Sequence, residues 1–424
     1  MTRRELISRL PIGLALARLA PVMGQGRPKP MDSVCGGGAG YDAQKWAKCV
    51  AAAEIAVAAQ KSFGVHLLRD MVEHAPGRNV FMSPLSVFLA LQMTENGAAG
   101  ATRAAMRKAL ELPDLEAATL NGAAAALMSV LKTRSGAGLL IANALWADGH
   151  YPLAPEFVKL SASVYDASAR SLNFADPKAA SAINDWVKTN TKGKIPNIVT
   201  PEMVRAAAVI LTNAVYFAGL WQHEFPESQT RDEVFHKTGG GTKTIPMMHQ
   251  AGLTSGYRKG NGFECARLDY EGSGAFFCAL LPQPGTAPKD VLASLDPKHL
   301  TGEPADFDLD LKLPRFSLDF NAGLRGYLEK MGMGIAFQYP QADFGPMGSR
   351  QFYLSEVIHK TRLEVDEKGT VAAAATAVLA LAGARYLPPR PRPIKTLVFD
   401  RPFVVLIGDS QTDAVLFAGV IEEP

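Results

Sequence analysis

The residues with chemistry to offer are few and scattered. Eight histidines are spread over 424 residues, and His223 beside Glu224 and His359 beside Lys360 come nearest to an acid–base pairing. Neither belongs to an HExxH helix, and a lone histidine is more often a hydrogen-bonded structural residue than a catalyst. No GxSxG elbow, Walker A loop or dinucleotide fingerprint occurs. The run GGGTK at Gly239–Lys243 has phosphate-friendly residues without the required spacing. It lies between strand-like runs, where it reads as a hairpin turn. These absences argue against an enzyme, and no cofactor or metal is expected.

Four cysteines, an even number, suit an oxidising compartment. Cys35 and Cys49 flank GGGAGYDAQKWAK and are placed to close a small N-terminal loop. Cys265 and Cys278 lie on FECARLDY and AFFCALLP, joined by EGSG. With Gly272 and Ser273 at the centre of that turn, the pair shares a face but sits diagonally, a marginal separation for a disulfide. Free buried thiols are an equal alternative. No CxxC or Cys/His zinc spacing is present.

These side chains must be carried by a large globular chain. It is 47% hydrophobic and 20% charged, and a net charge of +3 is too small to make nucleic acid or a membrane the main partner. The first residues, MTRRELISRLPIGLALARLAPVMGQG, combine Arg3 and Arg4 with an apolar stretch from Leu10 to Met23 and a small residue at Gly24. Residues 1–25 read as an export signal of twin-arginine type, although Arg18 interrupts the apolar stretch and no A-x-A site follows. An exported protein, periplasmic or extracellular, is expected. Residues 26–53, rich in Gly, Pro and Ala, read as a linker. No other run approaches the ~20 apolar residues of a membrane helix.

From Glu54 the pattern is helical, with Ala56, Phe63, Leu67 and Met71 on nearly one face. A short strand then leads to a helix start at Ser83-Pro84, a break at Asn96-Gly97 and a helix opened by Thr102. LLIANALWAD and AAVILTNAVYF read as buried strands, and from about Phe235 strands dominate. A helix-rich first half and a strand-rich second half predict an α+β fold in one large domain, 54–424.

Near the end stands DEKGTVAAAATAVLALAGARYLPP. Alanine favours helix, yet Thr and Val favour strand, and no face is charged. As a strand, Thr370, Ala372, Ala374, Thr376 and Val378 share one side, and neither charge nor proline intervenes through Leu381.

These motifs, in unbroken order from Glu54 to the C-terminus, resemble the serpins, the metastable serine-protease inhibitors. NVFMSPLSVFLALQMTENGAAGAT is similar to the family's helix B region and LTNAVYFAGLWQHEF to its breach strand. EVIHKTRLEVDEKGTVAAAATA is similar to strand 5A with the hinge, and FDRPFVVLIGDSQTDAVLFAGVI to the closing strands. The resemblance implies three β-sheets with eight or nine α-helices and an exposed reactive-centre loop, in a monomeric, secreted, bacterial-type member. It implies inhibition by suicide-substrate trapping, the cleaved loop at about 367–386 inserting into the main sheet.

By the same resemblance Glu367, Lys368, Gly369, Thr370, Val371, Ala372, Ala373, Ala374, Ala375 and Thr376 form the hinge, with Gly369 letting the chain turn out of its strand. Val371 replaces the usual Glu. Ser83, Ser86, Asn213 and His359 fall on the polar cluster under the opening sheet, and Trp221 on the breach tryptophan. The family spacing counted from Glu367 puts the scissile bond at Gly383-Ala384, which implies an elastase-like or subtilisin-like target. A shift of two residues places it at Arg385-Tyr386, with a trypsin-like target. The rival reading is a non-inhibitory binding or storage protein whose loop is cut without trapping. Arg390, Arg392 and Lys395, spaced by prolines, read as a solvated tether, and no polyanion cofactor is expected.

Overall fold

The computed structural model describes residues 43–133, 138–150, 152–254, 256–296, 300–348, 352–370 and 392–424. Among them are nine α-helices and sheets of seven, five and four strands, with a short two-stranded ladder. The expected α+β architecture is present. No helix among the described residues is long and apolar enough to cross a membrane.

The first helix spans Ala43–Glu73, and Ala56, Phe63, Leu67 and Met71 are all buried on it. Eleven residues of the stretch read as a linker, 43–53, are therefore helical, which corrects that boundary. Alanines at 43, 47 and 51 to 53 supply helix propensity, and Trp46, Cys49 and Ala53, spaced three and four apart, bury one side. Trp46 and Cys49 cluster with Val130 of the helix Ala117–Thr133. The Trp46 indole donates to Gln411 Oε1 at 2.9 Å.

The helix Pro84–Glu95 is buried on every side, as an element hydrophobic all round must be. Ser83 is its N-cap, accepting from Ser86 N at 3.2 Å, with Pro84 pre-set for the first turn. The next helix, Gly100–Ala109, has Ala99 and not Thr102 as its N-cap. Thr102 is drawn inside, where its hydroxyl accepts from Asp343 N at 2.9 Å.

In the five-stranded sheet the order is Phe316–Gly323, Leu354–Val365, Val209–Tyr216, Leu140–Asp148, Ser168–Leu172. Leu354–Val365 and Val209–Tyr216 pair in parallel at its centre, while their outer neighbours are antiparallel to them. Val209–Tyr216 is buried at every position because both faces are covered. Val209, Leu211 and Val215 face the main core, and Ile210 and Ala214 pack under the helix Ala179–Asn190 with Ile183 and Val187. Ile358 of the parallel partner joins that second cluster, so this helix lies across the seam.

The seven-stranded sheet carries Cys265 and Cys278, which stand opposite Leu280 and Arg267 and are therefore diagonal neighbours. Both are buried free thiols. Cys49 is disulfide-bonded, and Cys35 lies outside the described residues. The Gly239–Lys243 run turns between the strands Arg231–His236 and Thr242–Thr254, with Gly239, Gly240 and Gly241 all at positive φ. That conformation is open to glycine and costly for other residues.

Candidate functional site

The central seam is locked from below by side chains. His359 and Asn213 are register partners across it, and both are fully buried. His359 Nε2 accepts from Ser83 N at 3.0 Å, so its other nitrogen carries the proton and donates to Asn213 Oδ1. The Asn213 amide donates to Ser86 Oγ and to Asn143 Oδ1, and Ser86 Oγ donates to Asn143 Oδ1 at 3.1 Å. Ser83 Oγ donates onward to Leu416 O at 2.6 Å. Burial pushes the His359 pKa down to about 3, although the Asn213 backbone opposes that shift.

This network gathers Ser83, Ser86, Asn213 and His359 in one place at the start of a buried helix. It also contains Asn143, which the sequence reading passed over. Its signal was a single amide in the otherwise apolar run LLIANALWAD.

At the top of the seam the chain leaves Leu354–Val365 through a tight turn. Asp366 Oδ1 accepts from Lys368 N at 2.9 Å and Gly369 N at 3.0 Å. Gly369 and Thr370 then pair antiparallel with Leu220 and Gly219, just beyond the end of Val209–Tyr216. The turn therefore belongs to Asp366, whereas Gly369 is needed for close approach. A Cβ there would come within 2.1 Å of Gly219 O.

Trp221 and Phe225 hold this corner by their backbones, donating to Lys368 O at 2.9 Å and Glu367 O at 2.8 Å. The Trp221 indole donates to Asp366 O at 2.8 Å and stacks on Tyr270, with centroids 4.7 Å apart and planes 14° apart. Tyr270 OH meets Thr370 Oγ1 at 2.6 Å. Burial raises the Tyr270 pKa well above the ordinary phenol value, so the hydroxyl keeps its proton.

The Glu367 side chain is 8% exposed and accepts from Thr230 Oγ1 at 2.7 Å, with Arg315 Nη1 at 3.5 Å. It forms one wall of an open cleft of about 570 Å³ shared with Arg231, Asp232, Pro246 and Arg315. Lys368 reaches Glu227 at 3.5 Å. Val371, Ala372, Ala373, Ala374, Ala375 and Thr376, and both scissile-bond positions, Gly383-Ala384 and Arg385-Tyr386, lie outside the described residues.

Farther along the chain, Arg392 pairs with Asp306 at 2.9 Å and Lys395 with Glu264 at 2.5 Å. Tyr270, Thr230 and Arg315 were also missed by the sequence reading. Each is far from the hinge along the chain, and none carries a motif.

A serpin (serine protease inhibitor) family profile matches residues 58–424. The leukocyte elastase inhibitor of Bos taurus is 33% identical over 380 residues, covering 87% of this chain and 99% of its own. A serpin-like protein of Thermococcus kodakarensis is 33% identical over 375 residues, covering 87% of this chain and 85% of its own. Among solved structures, the thermophilic serpin Tengpin in its native state aligns with a TM-score of 0.76 at 28% identity, over 87% of this chain and 94% of that one. Thyroxine-binding globulin complexed with thyroxine aligns with a TM-score of 0.75 at 26% identity, over 87% and 99% of the two chains. With this seam, this hinge and this extent of similarity, the chain belongs to the serpin family, protease inhibitors and not enzymes.

Proposed function

We propose that this protein inhibits a serine protease by letting it cut the reactive loop, about 367–386, and trapping it as the acyl-enzyme. The observation that carries the reading is the parallel seam between Leu354–Val365 and Val209–Tyr216, with Gly369 and Thr370 paired at its mouth. Parallel pairing is slightly the weaker kind. A chain folding back from Thr370 between these two strands runs antiparallel to both, replacing one parallel ladder by two antiparallel ones. The residues that would enter, up to Leu381, bring no charge to desolvate and no proline to interrupt a ladder.

The chemistry is the protease's own. Its serine Oγ bonds to the carbonyl carbon of Gly383, the peptide bond to Ala384 breaks, and the new amine leaves with a proton. The upstream segment, freed from its downstream anchor, inserts and drags the ester-linked protease along. Trapping succeeds when insertion outruns hydrolysis of that ester. Serpin loop insertion is an established transition of this kind, driven by strain stored in the native fold.

Gly383 before the cut favours an elastase-like or subtilisin-like target, and the register at Arg385-Tyr386 a trypsin-like one. The leukocyte elastase inhibitor relatives support the former. We also infer a secreted, bacterial-type monomer, exported by its Arg3-Arg4 leader.

The non-inhibitory alternative draws on the similarity to thyroxine-binding globulin. The small residues of the hinge oppose it.

Incubation with elastase-like, subtilisin-like, trypsin-like and chymotrypsin-like proteases tests the reading. An SDS-stable complex is expected, with a released C-terminal peptide that begins at Ala384 or, in the alternative register, Tyr386. Cleaved, uncomplexed protein should melt at a much higher temperature. Cleavage without complex by every protease would overturn the inhibitor reading.

A further inference from the structure

We infer that Tyr270 is a positioning residue for loop entry, its hydroxyl latching Thr370 inside the sheet before any cleavage takes place. The inference rests on the insertion reading above. Thr370 is the last described residue before the loop, and it is fully buried. Two features bring it in. One is the glycine pair: a Cβ on Gly219 would lie 2.7 Å from the Tyr270 ring, and one on Gly369 2.1 Å from Gly219 O. Only with both residues lacking side chains do ring, strand and hinge approach one another this closely.

The other is the 2.6 Å bond from Tyr270 OH to Thr370 Oγ1. Tyr270 follows the strand Phe263–Asp269 of the seven-stranded sheet, so the latch reaches the hinge from a different layer. Its ring has little freedom. Trp221 stacks on one side, and Phe217 makes an edge contact with centroids 4.9 Å apart at 64°. The backbone bridge between Trp221 and Tyr270 and the bond from Tyr270 N to Ala275 O at 3.0 Å fix its main chain.

The consequence is kinetic. Forming the first strand pair of an inserting segment requires chain closure before any ladder bond rewards it. With Thr370 seated opposite Gly219, insertion starts from an existing pair, and only Val371 onward remains to be added. The latch thus biases the race toward trapping without touching the protease or the scissile bond.

The test uses full-length Tyr270→Phe, Thr370→Val and the double variant. Hydrogen–deuterium exchange of residues 366–370 is read without protease. The moles of inhibitor consumed per mole of protease inactivated are then read with a protease that the wild type traps. Each single variant should expose the 366–370 amides and raise that stoichiometry several-fold, leaving the rate of first cleavage unchanged.

The double variant should be no worse in stoichiometry than either single variant, because all three remove the same bond. Its melting temperature should recover from that of Tyr270→Phe, since no buried hydroxyl is left unpaired. A stoichiometry that recovers along with the melting temperature would make Tyr270 a purely structural residue and overturn the inference. Unchanged exchange and stoichiometry would do the same. If the wild type traps no protease, the inhibitor reading fails, and the exchange measurement alone still decides whether the latch exists.

Discussion

His359 and Asn213 face each other across the central pair of parallel strands, and their side chains are bonded beneath it. His359 Nε2 accepts a hydrogen bond from the Ser83 backbone N–H at the same time, so it serves only in its neutral form. The stability of the seam is therefore tied to one proton.

Burial holds the His359 pKa at about 3, below its ordinary value of 6.5. The unfolded chain thus takes up this proton first as the pH falls. The contribution is fully present above pH ~6.5 and is lost progressively toward pH ~3, with a size on the order of a few kcal/mol. Melting temperature measured against pH should fall more steeply through this window for the wild type than for His359→Gln. Parallel curves would show that another group controls the acid limb.

Glu367 is buried against Thr230, beside the half-exposed Arg315, and it lies in the proposed hinge. Glu367→Lys would set two cations together and leave Thr230 without its acceptor. Thermal melts should show a loss of a few degrees, on the scale of ~1–3 kcal/mol for leaving buried polar groups unpaired, because the half-exposed Arg315 is screened by solvent and adds little. Glu367→Gln keeps an acceptor for Thr230 and should lose clearly less. Equal losses would remove the charge from the explanation.

Thr370→Arg places a long cation where the structure has a fully buried small side chain. Insertion would have to bury that charge unpaired, which costs far more than the loop gains locally. On denaturing gels the variant should be cut by the target protease as an ordinary substrate, with complex reduced at least about tenfold, a factor that corresponds to ~1.4 kcal/mol. Complex formation at the wild-type level would sink the insertion mechanism.

Cys265 and Cys278 are free, and Cys49 is disulfide-bonded. Thiol titration of the unfolded, unreduced protein should find two reactive groups, and titration after reduction should find all four cysteines. Reduction should also lower the melting temperature, because it frees the end of the first helix, where Trp46 packs on Val130. Four thiols before reduction would contradict the bonded state of Cys49.

The sequence by itself determined the local vocabulary. Alternation and apolar runs marked LLIANALWAD and AAVILTNAVYF as buried strands, Ser83-Pro84 marked a helix start, and the uncharged Ala/Thr segment after Asp366 marked a chain suited to two environments. Matching whole motifs in order then pointed to the family, and with it to Ser83, Ser86, Asn213, Trp221 and His359. The start of the first helix at Ala43 has no local mark, because glycines and prolines stand before its alanines.

Tertiary structure alone decided which of these elements touch. His359 and Asn213 are 146 residues apart, and Tyr270 and Thr370 are 100 apart. Periodicity reports which face of a strand is apolar, not which strand lies beside it or in which register. Asn143, Tyr270, Thr230 and Arg315 carry no local mark of their roles. They acquire partners only when three sheets pack closely enough to leave room for two glycines and one hydroxyl at the mouth of the seam.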